Sequence, residues 1–468
     1  MLIILLGVFI LLLILCYFGF KKEIINPPVI FCATYTFSIL CACLNMKRWN
    51  INLSYKTFWI LVIGAIEFVL VSFIIQKLIK NKEENKYHED EKKDEKKDAI
   101  RCIEEHKISN RKLYIFLIGI SIYNLIIVAL LICNIYKISN SFEPIHSMSQ
   151  MLHVFRAHTS YAHDAALPGY ITLLMKPIVA SAYIFSFIFF ERFFNDEKNK
   201  LKNNIVFLIP SLLWMITCYV QSYREGIIIY LLNIFTMSVL VWALKHEWKR
   251  KIKIVSLLKM GMGLAIGLIL FYYSAAWVGR ENYKGMFEYI TFYCGGSIEC
   301  FNRYIDNPVE IQVVRGEETF YNLISNLDSM GITNFNIRGR LTGHLEFRHE
   351  NEVMIGNVYT AYRRWLHDFG IFGMFLLNAI VAIVVNTIYS MLRYHRFKSK
   401  KIKDITAILF SYISYVIYMH PIGDYFYFEI FSRAIITVIV TIIIMYFLMF
   451  NLDEVIINLK RKVENDKK

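Results

Sequence analysis

Apolar runs of membrane-crossing length, separated by short charged connections, limit what this chain can fold into more than any other feature. Leu2–Phe20, Phe58–Ile75, Leu113–Cys133 and Ile254–Val278 approach or reach the roughly 20 residues a helix needs to cross a bilayer core. These runs are apolar on every side, so the alternation of a barrel strand is missing and a helical bundle is expected. With 56% of its 468 residues hydrophobic and a positive mean hydropathy, the chain has lipid as its main solvent, and a set of soluble domains is excluded. The expected fold class is an all-α polytopic membrane protein.

A net charge of +14 invites a nucleic-acid reading, but the distribution of the charge argues against one. Lysine and arginine gather between apolar runs, in Lys77–Lys112, Arg192–Lys202, Lys245–Lys253, Arg393–Lys403 and Lys460–Lys468. Every second connection is basic, as cytoplasmic loops are under the positive-inside rule. Placing each of them inside gives about eleven spans, near 2–20, 27–44, 58–75, 113–133, 169–190, 205–219, 226–244, 254–278, 370–391, 404–420 and 431–450. The amino terminus is then outside and the carboxyl terminus cytoplasmic, in a single integral membrane domain over 1–468. The first run is long enough to span and lacks the basic leader and cleavage site of a removable signal. Connection 45–57 runs against the pattern, since it carries Lys47, Arg48 and Lys56 on the side expected outside.

Three connections are substantial. Segment 77–112 includes Asn81–Asp98, almost without apolar residues, and reads as a charged cytoplasmic linker, solvated or disordered. Segments 134–168 and 279–369 are expected outside. In the larger one Phe320, Leu323, Ile324, Leu327 and Met330, and separately Ile298, Phe301 and Ile305, recur at helical spacing. They predict short amphipathic helices on the membrane surface or capping the bundle.

Most cysteines lie inside apolar runs and read as small core residues; Cys294 and Cys300 fall together in the large loop, where a disulfide is chemically permitted. His146, His153, His158 and His163 with Asp164 tempt a zinc reading. Their spacings of seven, five and five match no helical metal pair, so no metal is expected.

Cation choice carries more information. From Asn134 onward the outside segments use Arg156, Arg224, Arg280, Arg303, Arg315, Arg338, Arg340, Arg348, Arg363 and Arg364, with only Lys137 and Lys284 as exceptions. A topological signal needs positive charge of either kind, whereas a planar guanidinium grips phosphate oxygens in a bidentate fork. The pattern points to an anionic, phosphate-bearing or acidic-sugar substrate. The competing reading has these arginines knit the loop together by pairing with Glu281, Glu299, Glu317, Glu346 and Asp368.

Gln221-Ser-Tyr-Arg-Glu-Gly226 holds Arg224 and Glu225 at the membrane boundary with almost no loop, either for function or as a local ion pair. Arg280 emerges as soon as its preceding span ends. Asn357 to Gly373 gathers Arg363, Arg364, His367 and Asp368 in little more than one turn, and i,i+4 spacing allows an Arg364–Asp368 salt bridge as readily as catalysis. Gly370 and Gly373 let a helix or lipid approach closely. Glu67 and Lys176 are ionisable residues within spans, expected to face the bundle interior. A phosphate-cradling glycine loop, a dinucleotide fingerprint, a nucleophile elbow and an Asp-x-Asp pair are all missing, which argues against an activated-nucleotide donor.

Ser222-Tyr-Arg-Glu-Gly226, Gly279-Arg280 and Tyr362-Arg-Arg…His367-Asp-Phe-Gly370-Ile-Phe-Gly373 resemble the O-antigen polymerase, or oligosaccharide repeat unit polymerase, family called Wzy-like. The number of spans and the long late loop agree with it. The resemblance implies a GT-C-like glycosyltransferase bundle in a bacterial inner membrane, independent of metal and of cofactor. It implies a donor glycan on undecaprenyl diphosphate, a lipid-linked repeat as acceptor, and a product such as O-antigen lipopolysaccharide or capsule. Membrane lipids, a flippase and a chain-length regulator are the implied partners, and nucleic acid is not. Arg224, Arg280, Arg338, Arg340, Arg363 and Arg364 are the candidates to meet the diphosphate leaving group, and Asp368, Glu225 and His367 the contenders for deprotonating the acceptor hydroxyl. An O-antigen ligase shares this chemistry. A transporter of lipid-linked glycans should show internal repeats and a charged central pathway, and a passive scaffold leaves the arginines unexplained.

Overall fold

The computed structural model describes residues 1–94, 110–162, 164–195, 201–202, 204–250, 261–263, 267, 269, 272–273, 285–309, 315–341, 343–395, 397 and 399–465. Eight helices among them are long and apolar enough to cross a membrane: Leu2–Gly19, Pro27–Leu44, Tyr55–Lys86, Asn110–Asn140, Gly169–Asn195, Arg224–Lys245, Tyr362–Tyr394 and Arg433–Phe450. Each coincides with an expected span, and the chain is a mostly helical, multi-pass membrane protein. Expected span 205–219 is the shorter apolar stretch Ile205–Val220. Most of 254–278 lies outside the described residues. Span 404–420 is broken into Lys400–Ile413 and the single turn Tyr415–Tyr418. Pro421, three residues on, ends the segment there, since the residue before a proline is pushed out of helical geometry.

Two further departures concern the connections. The helix that starts at Tyr55 runs on to Asp94, so residues 77–94 are helical where a linker was expected. Lysine and glutamate are strong helix formers, and Lys80 and Glu84 pair at i,i+4. The long loop is not purely helical either: Arg348–Glu350 pairs antiparallel with Val353–Gly356 in a two-stranded hairpin turning at Asn351 (φ 50°).

The chain divides into two compact units. In the first (Met1–Lys96, Tyr283–Arg396, Ile413–Ile436), helix Tyr362–Tyr394 lies along helix Tyr55–Asp94. Asn378 Nδ2 donates to Gly64 O (3.0 Å) and Glu67 Oε2 (2.9 Å), and Asn386 Nδ2 to Ser72 Oγ (2.7 Å). Gln76 Nε2 donates to both Asn26 Oδ1 and Asn386 Oδ1. Lipid gives two apolar helices no reason to associate, so hydrogen bonds of this kind and close packing must hold them. Glu67 thus faces the interior, as expected.

Of the apolar stripe expected on helix Met286–Asp306, Ile298 and Phe301 are buried and Ile305 half-buried, and the helix packs on Pro27–Leu44 instead of lying on the membrane surface. Gly295 makes this possible: a Cβ there would sit 2.5 Å from the backbone nitrogen of Ala42. Cys294 and Cys300 are both free. Six positions on one helix separate them by about 9 Å, beyond disulfide reach, and Cys300 Sγ instead donates to Gly356 O. Arg48 pairs with Glu288, and Ser54 N donates to Asn302 Oδ1 (3.0 Å). Connection 45–57 therefore packs against the long loop, as two segments on one side of a membrane must. A second cluster joins Arg393 to Glu23 and His395 to Glu83.

In the second unit (Lys97–Asn282, Phe397–Tyr412, Thr437–Lys468), Leu131 and Ile135 pack with Leu152, Phe155, Ile171 and Ile178 in one apolar core. Ser186 links Ser211 and Tyr230 by 2.9 Å hydrogen bonds.

Candidate functional site

Helix Tyr362–Tyr394 is kinked at Gly370, whose φ of 67° and ψ of −171° suit glycine alone. The expected helix start at 370 is thus a break, and residues 362–369 form a separate two-turn helical segment ahead of it. This segment carries Arg363, Arg364, His367 and Asp368, all buried.

The Arg363 side chain is 0% exposed. Its Nη1 donates to Glu318 Oε2 (2.7 Å), its Nη2 to Glu346 Oε2 (2.9 Å), and its guanidinium lies 4.1 Å over the Tyr304 ring. Arg364 donates to the carbonyls of Glu318 (3.1 Å) and Gly343 (2.7 Å) and lies 4.2 Å over Phe428. His367 has Nδ1 3.1 Å from the Tyr304 hydroxyl and Nε2 3.6 Å from Glu318 Oε1. Asp368 Oδ2 accepts the Thr319 N–H at 2.7 Å. Glu318, Thr319, Gly343 and Glu346 of the long loop therefore close over this segment. The salt bridge that i,i+4 spacing allowed does not form, because Arg364 and Asp368 each direct their polar atoms to the loop.

Arg340 pairs with Glu317, and Arg348 with Glu346 at 3.2 Å. Burial works to raise the Glu346 carboxyl, but the Arg363 guanidinium overrides it and holds it below the ordinary range. Arg303, Arg340, Arg348 and Arg363 are thus engaged by carboxylates. The knitting role accounts for these four. Arg338 differs: it is exposed, and only its Nε, on Ser325 Oγ (2.5 Å), has a partner among the described residues. Arg315 is exposed too.

In the second unit Arg224 is buried at the first position of helix Arg224–Lys245, after a reverse turn in which Ser222 has φ 57°. A cation at the positive end of a helix opposes the macrodipole, and neighbouring Glu225 offsets it. A Cβ on Gly226 would strike the Tyr223 ring at 2.3 Å, so this turn needs its glycine. Lys176, half-buried, opens helix Lys176–Asn195. His158 stacks on Phe142 and contacts Asp164 at 3.0 Å. Arg280 and His163 lie outside the described residues.

No family model, curated protein or solved structure matches this chain.

Several residues of the buried turn's surroundings were not visible as such in the sequence. Glu318 holds Arg363 and borders His367, yet it reads as one acid among several in the long loop. Asp424 accepts from Trp365 Nε1 (2.8 Å) and from the N–H groups of Phe426 and Tyr427. Burial pushes its carboxyl up to about 6, with those donors working against it. Its one sequence signal is an acid directly after the Pro421–Gly423 break.

Proposed function

We propose that this chain is a membrane glycosyltransferase that joins lipid-diphosphate-linked oligosaccharide repeats outside the cytoplasm, as a repeat-unit polymerase. The observation that supports it most is the Arg363–Asp368 turn, where arginines, a histidine and a carboxylate are held rigid at the end of a spanning helix. The turn's own guanidiniums are taken up by Glu318, Glu346 and backbone carbonyls and brace the site, so the charge of a leaving diphosphate, which must be met without reorganisation, falls to a cation left open beside it. Asp368 and His367 are the nearest groups of the right chemistry to take the acceptor proton. The exposed Arg338 is the member of the set placed to reach a ligand first, while Arg363 acts by holding Glu318 and Glu346.

On this reading the bundle is GT-C-like with about eleven spans, counting 205–219, 254–278 and 404–420. The amino terminus lies outside a bacterial inner membrane, and a flippase and a chain-length regulator are its working partners. Deletion followed by mass spectrometry of lipid-linked glycans tests it: single repeats on the carrier support polymerisation. Accumulated full-length polymer on the carrier points to a ligase, and a carrier stranded on the cytoplasmic face to a transporter.

A further inference from the structure

A cleft of 440 Å³ opens in the first unit beside the buried arginine network. Its walls come from the end of helix Met286–Asp306, the turn after Pro27–Leu44 and the strand Arg348–Glu350. The volume suits a small-molecule site, about 300–1,000 Å³, but the wall is polar where most such sites are apolar. On its floor every guanidinium nitrogen of Arg303, and the Nε and Nη2 of Arg348, is engaged. Arg303 donates to Glu299 Oε1 (2.7 Å), Glu350 Oε2 (2.6 Å) and the carbonyls of Trp49 (3.1 Å) and His349 (3.0 Å). Arg348 holds the Asn307 carbonyl at 2.9 Å.

The rim is different. The side chains of Asn52, Asp306, Asn307 and His349 are exposed and, among the described residues, have no partner. Together they present amide donors and acceptors, a carboxylate acceptor and an imidazole. Both arginines already serve Glu299, Glu350 and Glu346, so an anion finds no open fork and meets Asp306 instead. A lipid tail finds no apolar wall. A ligand dense in hydroxyls, each able to donate and accept, matches what remains.

We propose that this cleft binds an uncharged sugar segment of a glycan, at a site separate from the arginine-bearing turn. Glu346 links the two places, with Oε1 on Arg348 of the cleft and Oε2 on Arg363. A glycan seated by its hydroxyls here lies next to the network that braces His367 and Asp368. The cleft stands on its own geometry, whether or not the chain polymerises glycans.

The test uses the purified full-length chain in lipid nanodiscs and saturation-transfer NMR. Maltotriose and triacetylchitotriose are the uncharged probes, and trigalacturonate is the acidic one. At least one uncharged probe should receive saturation and trigalacturonate should not. Asn52→Ala with Asn307→Ala should weaken binding about tenfold, the size expected for a lost pair of neutral hydrogen bonds. Asp306→Asn, which keeps an acceptor and removes the charge, should retain it. Among the described residues these rim side chains hold nothing in the fold, so unchanged melting is expected for all three substitutions. No saturation of either uncharged probe, equal binding by the double variant, or preference for trigalacturonate overturns the proposal. Polymer length is read separately: sugar binding in a chain that makes no polymer sinks the polymerase reading alone, and normal polymer without sugar binding sinks the cleft alone.

Discussion

Asp368→Asn separates a catalytic base from a loop anchor, because the structure shows what each role would lose. Asp368 is buried and its Oδ2 accepts the Thr319 N–H at 2.7 Å. An asparagine oxygen can occupy the same place and still accept, so only the charge disappears. Hydrogen bonds to charged groups contribute about 1.5–3 kcal/mol against about 0.5–1.5 for neutral ones, a difference of about 1 kcal/mol. Set against about 5–15 kcal/mol of total stability, that leaves the chain folded. It lowers the melting temperature by no more than about 4 °C. Loss of a general base costs about 10²–10⁴ in rate, so the two roles differ by orders of magnitude in polymer output. Asp368→Ala is the control: it strands the buried Thr319 N–H at about 1–3 kcal/mol and loosens the turn carrying Glu317 and Glu318. The assay is polymer length on the lipid carrier, alongside membrane abundance by immunoblot. We expect single repeats at normal abundance for Asp368→Asn, and reduced abundance as well for Asp368→Ala. Normal polymer from Asp368→Asn would refute the reasoning and leave Asp368 as an acceptor for Thr319; polymer falling only in step with protein would do the same.

Three further outcomes are expected. Single cysteines at Asn85 and Lys401 in a cysteine-free background should resist an impermeant thiol reagent in intact cells, whereas Ser147 and Asn334 positions should react; labelling at Asn85 would reverse the orientation. Burial raises the Glu299 carboxyl from 4.5 to about 7, with Arg303 pulling against it. A folded value above the unfolded one means its stabilising contribution is full below about pH 4.5 and lost as pH rises through about 7, by up to about 3 kcal/mol. Glu350, held down by Arg303, acts oppositely and below that window. Glu299→Gln should therefore flatten the fall in melting temperature between pH 5 and 7, and an unchanged slope would acquit Glu299. Gly370→Ala meets no neighbour within 4 Å but must adopt φ 67°, at about 1–3 kcal/mol; melting equal to wild type would mean the kink is not required.

Eight of the eleven expected spans were legible in the sequence, because lipid demands about 20 apolar residues per helix and that is a property of each segment's own composition. The stripe of Ile298 and Phe301 was legible too, but its partner helix was not, since that depends on Gly295 meeting Ala42 some 250 residues away. Spacing likewise placed Arg363, Arg364, His367 and Asp368 on one turn and could not say whom they face. Only the tertiary structure decided that Arg363 is closed off by Glu318 and Glu346 while Arg338 stays open, that Arg364 and Asp368 do not pair, and that Asn52, Asp306 and His349 rim one cleft. The reason is physical: burial in lipid is a property of each segment's own composition, whereas the partners of a guanidinium are set by distant backbone brought near by packing.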